Sequence, residues 1–142
     1  MRNIFFIFAA LTLFVLSGCL IFSGRAISAE TNAAQAVKYQ KITSDEAKQM
    51  MDDGEAFILL DVRTEEEFEA NRIEGAVLIP NNEIIERAPT ELPDKDARIL
   101  IYCRSGRRSA QAAHDLINLG YTEIFDFGGI IDWPYETLDG NF

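Results

Sequence analysis

Residues 102–109 read YCRSGRRS, a single cysteine followed by arginines at positions 104, 107 and 108. A thiol beside several guanidinium groups can do nucleophilic chemistry on an anion. The thiolate is the reactive form, and neighbouring cations move a cysteine pKa from about 8.5 toward roughly 3.5–7.5. Arginine adds planar forks that bind a sulfonate-like or phosphate-like dianion. A lone cysteine ending a buried strand is often just a small apolar residue, and loop arginines are usually solvated. Here Cys103, Gly106, Arg104, Arg107 and Arg108 share one short segment, which favours a built site holding an anion beside a nucleophile.

The elements that must position this segment follow from the pattern around it. The chain has 142 residues, enough for one ordinary domain and too few for two. Its formal net charge of -10 argues against nucleic acid, which needs a basic surface. Strand and helix signals alternate from residue 37 to 142. VKYQKI is a short first strand, and Thr43-Ser44-Asp45-Glu46 has capping-box spacing for a helix stopping at Asp53-Gly54. AFILLDV is an apolar run of strand length, and Thr64-Glu65-Glu66-Glu67 opens a second, short helix to Ala70. GAVLIP is a third strand, NNEIIERA a short helix before the Pro89 and Pro93 turns, and ARILIY another buried strand. SAQAAHDLINLG places Ala110, Ala113, Leu116 and Ile117 on one helical face, with His114 on the polar face and Gly120 as the stop. EIFDF is the last strand, followed by Gly128-Gly129 and a short helical stretch around Trp133, read as a packing aromatic. This alternation predicts an α/β fold with a central, mostly parallel sheet and helices on both faces.

In such sheets ligands bind beyond the carboxyl ends of the strands, and Cys103 follows ARILIY and precedes a helix. A helix N-terminus carries unpaired N–H groups and partial positive charge, so the turn itself is an anion site. Gly106 lets the backbone turn tightly enough for several N–H groups to converge.

The segment YCRSGRRSAQAAHDLINLGY resembles the active-site loop and following helix of single-domain rhodaneses. DVRTEEEFEANRIEGAVLIP is similar to their second signature, and GGIIDW to their closing Gly-Gly…Trp; together the three span roughly residues 39–138. The resemblance implies a single rhodanese-like domain over residues 37–142 that acts as a sulfurtransferase. Cys103 would attack the sulfane sulfur of thiosulfate, release sulfite and carry the sulfur as a persulfide to cyanide or a thiol. It implies that residues 104–108 (Arg104, Ser105, Gly106, Arg107, Arg108) cradle the persulfide and donor, with Arg104 and Arg108 foremost. The chemistry implied needs no metal, no cofactor and no general base. Asp61 and Arg63, at the end of the neighbouring strand, read as a structural pair supporting the site. One departure is that Asn71-Arg72 stands where the family commonly has Gly-His. A local rearrangement is expected there, with Arg72 within reach of a carboxylate.

Alternatives within the same fold are weighed on the loop. Phosphatases and arsenate reductases use Cys-x5-Arg, but here that position is Ser109 and Arg108 comes one step early, which disfavours phosphate chemistry. A non-catalytic binding module often lacks the cysteine, which is present. A persulfide carrier with another donor uses the same loop and stays open.

The N-terminus reads as an export segment over residues 1–22, followed by a small, polar linker over 23–36. A charged start, an apolar run over residues 4–16 and small residues before a cut site describe a secretory signal. LSGC resembles a bacterial lipobox, with Cys19 as the lipidated first residue of the mature chain. Cleavage after Ala29 and an uncleaved anchor of about 19 residues remain open. All three place the domain outside the cytoplasm, in the periplasm or cell envelope, with membrane attachment through the N-terminus in two of them. Cys103 is then a lone thiol in an oxidising compartment, and the absence of a C-x-x-C motif excludes dithiol exchange within the chain.

Overall fold

A computed structural model describes residues 37–140; the export-segment and linker readings, with Cys19, lie outside the described residues. The chain order is β1 (Lys38–Lys41), α1 (Ser44–Asp52), β2 (Ile58–Asp61), α2 (Glu65–Ala70), β3 (Asn71–Arg72), β4 (Val77–Leu78), α3 (Ile84–Glu91), β5 (Arg98–Cys103), α4 (Arg107–Asn118), β6 (Glu123–Gly129), a 3-10 turn (Ile130–Asp132) and β7 (Leu138–Asp139). Five strands form one sheet in the order β1-β6-β5-β2-β4, and every pairing in it is parallel. The fold is therefore α/β, with the parallel sheet covered on both faces.

Side-chain alternation along the central strand sorts the two faces. Ile99, Ile101 and Cys103 of β5 point into a core completed by Ile84 and Ala88 of α3 and by Ala112, Ala113 and Leu116 of α4. Leu100 and Tyr102 point to the opposite core, with Ala47 of α1, Phe125, Phe127 and Trp133. The period of two thus delivers Cys103 to the α4 side of the sheet, at the strand's last residue.

Local rules account for the helix starts. Thr43 and Thr64 both make complete capping boxes, with Glu46 and Glu67 respectively. Helix α4 starts two residues earlier than its apolar pattern suggests, because Gly106 at φ 92° turns the chain into the helix and Arg107 and Arg108 join its first turn. Helix α3 runs through Pro89 instead of stopping before it. Ile84, Ala88 and Leu92 are spaced four apart and fully or nearly fully buried, which offsets the missing N–H. The Tyr121 hydroxyl lies 2.7 Å from the carbonyls of both Ala88 and Leu92 and covers that helix end.

Asn71 and Arg72 form β3, which pairs antiparallel with β7. The Arg72 guanidinium lies 5.1 Å from the centre of the Phe68 ring.

Candidate functional site

Three strand ends and one helix start build the site. Strand β2 ends at Asp61 beside Tyr102 of β5, and β6 ends at Gly129 beside Cys103. The β5–β6 register slips between Ile101, opposite Asp126, and Tyr102, opposite Gly128, leaving Phe127 as the extra residue of a bulge. The buried carboxylate of Asp126 fixes that bulge by accepting from the Gly128 N–H at 2.9 Å. The slip carries Gly129 under the cysteine loop. A Cβ on Gly129 would stand 2.4 Å from the Arg104 carbonyl oxygen and 2.6 Å from the Ser105 Cα, so only glycine fits. The Ile131 N–H donates to the Arg104 carbonyl at 3.3 Å and ties the 3-10 turn to the same loop.

Within this frame Cys103 is 1% exposed, a free thiol at the bottom of the loop. The Gly106 N–H donates to its Sγ at 3.1 Å. Its thiol reaches the Ser109 Oγ at 3.7 Å, while the Ser109 hydroxyl faces the carbonyls of Gly106 at 3.1 Å and Gly128 at 3.3 Å. Burial alone pushes the thiol pKa up, but the backbone N–H groups of Ser109, Ser105 and Gly106 and the Ser109 hydroxyl outweigh it. The net shift is below the ordinary thiol value. The thiolate is therefore stabilised chiefly by the loop backbone.

The arginines divide into two kinds. Arg104 and Arg107 are exposed. Arg108 is half-buried, and its two terminal nitrogens donate to the two carboxylate oxygens of Glu67 at 2.6 and 2.8 Å. Glu67 raises the Arg108 pKa, and the Cys103 sulfur adds to that rise. In return Arg108 draws the Glu67 carboxyl down to about 2, despite partial burial.

Asp61 and Arg63 sit alongside, both buried. The Arg63 Nε donates to both Asp61 oxygens at 3.0 and 2.9 Å, and a terminal nitrogen adds a bond of 2.6 Å. The remaining donors reach the Asn71 side chain at 3.1 Å and its backbone carbonyl at 2.6 Å. The pair thereby pins β3 to the end of β2. Between these elements lies a depression of about 260 Å³, lined by Arg63, Glu67, Asn71, Arg104, Ile130 and Ile131 among others.

The structure thus gathers Cys103, Ser105, Gly106 and Arg108 around one sulfur, with Arg104 on the flank, Arg107 facing solvent and Asp61–Arg63 behind. His114 is exposed on α4, with its ring 5.7 Å from that of Tyr39, and Trp133 is buried in the second core. Sequence reasoning missed Glu67, seen only as a helix cap, and Ser109, used only as the position where a phosphatase has arginine. It also missed Asp126; the alternation of EIFDF, which puts an aspartate among buried strand residues, was its only signal.

Comparison with known proteins agrees with this geometry. A family model, the Rhodanese-like domain, matches residues 43–134. The chain is 40% identical over 81 residues to the thiosulfate sulfurtransferase PspE of Escherichia coli (strain K12), covering 57% of this chain and 78% of that protein. It is 39% identical over 99 residues to a sulfurtransferase of Allochromatium vinosum, covering 69% of this chain and 91% of that one. Among solved structures it is similar to a rhodanese with anions from E. coli, with a TM-score of 0.56 and 36% identity over 60% of this chain and all of that one. The chain belongs to the rhodanese-like family of sulfurtransferases.

Proposed function

We propose that the protein transfers sulfane sulfur from thiosulfate to cyanide or a thiol through a persulfide on Cys103. The observation that carries the reading is a buried thiol whose pKa is lowered by converging N–H groups of a loop too short for phosphate. The Cys103 thiolate attacks the outer sulfur of thiosulfate, the sulfur–sulfur bond of the donor breaks, and sulfite departs with the electron pair. The persulfide keeps a negative terminal sulfur, which the N–H groups of residues 105, 106 and 109 can solvate in place of water. Attack by cyanide or a thiolate on that sulfur returns the Cys103 thiolate. Charge and atoms balance in both steps, so no outside oxidant or reductant is needed.

Arg104 and Arg107 attract the anionic donor to the mouth, while Arg108, paired with Glu67, adds its field at the sulfur. The export-type N-terminus supports placement of the domain in the periplasm or cell envelope, with Cys19 as a lipid attachment point.

The test is thiosulfate:cyanide turnover by residues 33–142, compared with Cys103→Ser. The expected result is thiocyanate production that the substitution abolishes. Undiminished production by Cys103→Ser would overturn the mechanism.

A further inference from the structure

Of the guanidinium groups around the mouth, Arg63 is consumed by Asp61 and Arg108 by Glu67. Glu67 is no loose rim carboxylate. One of its oxygens also accepts from the Thr64 N–H at 3.1 Å, and its own N–H donates to the Thr64 hydroxyl oxygen at 3.3 Å, so it is built into the first turn of α2. Arg108 is equally fixed, in the first turn of α4, and the Cys103 sulfur lies close enough to add to the rise of its pKa. The side chains of the pair are only 21% and 28% exposed, where a charge is less screened than at the surface. Glu67 also lines a depression together with Arg104 of the cysteine loop.

Building on the sulfur-transfer reading above, we infer that Glu67 sets the charge of the sulfur donor the site prefers. By neutralising Arg108 it turns the pocket against dianions and toward monoanionic sulfane donors of the same shape. Glu67 acts through Arg108 and through its own field, so it is a positioning and specificity residue, and it takes no part in bond making.

Two donors isolate charge from shape. Thiosulfate is a dianion; methanethiosulfonate carries the same sulfane sulfur but has a methyl group in place of one oxygen, and is a monoanion. The reading is the ratio of KM for thiosulfate to KM for methanethiosulfonate. Glu67→Gln keeps the size and the Thr64 contact and removes the charge, and the ratio is expected to fall about tenfold. Arg108→Gln leaves Glu67 unpaired, and the ratio is expected to rise by a similar factor. The double variant restores a neutral pair and is expected to return close to the starting ratio. A residue that merely caps α2 would change thermal stability, leave the ratio of Glu67→Gln at its starting value and make the double variant equal to Arg108→Gln, which would overturn the inference. Should Glu67→Gln fail to fold, the fall of the ratio from Arg108→Gln to the double variant carries the same test. Failure of the unsubstituted protein to use either donor would overturn the sulfur-transfer reading and this inference with it. Turnover of both donors with unmoved ratios would overturn this inference alone.

Discussion

Two acid–arginine pairs flank the cysteine loop, one at the end of β2 and one between the first turns of α2 and α4, and they differ in almost everything but composition. In Asp61–Arg63 both side chains are at most 3% exposed, two residues apart in sequence, and every direction of the guanidinium meets an oxygen of Asp61 or Asn71. In Glu67–Arg108 the partners are 41 residues apart, join α2 to α4, and face the sulfur on one side and solvent on the other. A pair whose guanidinium donors are all taken holds structure, because no ligand can bind it without breaking it. A pair with one open side can be read by a ligand. Burial and satisfaction, more than residue type, therefore separate the scaffold from the chemistry here.

The largest expected effect breaks the comparison at its buried member. Arg63→Ala leaves the Asp61 carboxylate buried without its partner and should cost about 3–5 kcal/mol of stability. Arg108→Ala, at a partly exposed pair, should cost no more than about 1 kcal/mol. Equilibrium urea unfolding of the two variants checks the contrast, and equal losses would erase it.

A smaller effect sharpens it. The Glu67 carboxyl is held at about 2, against 4.5 for an ordinary glutamate, chiefly by hydrogen bonding to Arg108. Its folded-state pKa is depressed, so its stabilisation is present above about pH 4.5 and is lost as pH falls toward 2. With partial exposure discounting the pair, the unsubstituted protein should lose up to about 1 kcal/mol more than Glu67→Gln across that window. Unfolding curves taken stepwise from pH 5 to about pH 2.5 measure the difference.

Much of this was legible in the sequence wherever the governing contacts are local. The apolar run at β5, the two threonine capping boxes and the glycine before α4 each declare themselves within a few residues. Together they placed Cys103 at a strand–loop–helix junction. What escaped depends on distant partners. The β3–β7 ladder joins residues 71–72 to 138–139, too short and too far apart for any period to show. Pro89 marked a stop that core packing overrode. Glu67 displayed its local task, the cap, and hid its distant one, because nothing near it in sequence names Arg108. The Phe127 bulge, which slides Gly129 under the loop, depends on register between two strands and on the Asp126 carboxylate.

The central claim is that Cys103 carries sulfur, and mass spectrometry after brief exposure to thiosulfate tests it most directly. The account predicts a gain of one sulfur atom on the peptide containing Cys103, removed by cyanide and absent in Cys103→Ser. An unchanged mass at Cys103 under conditions that support thiocyanate formation would contradict it.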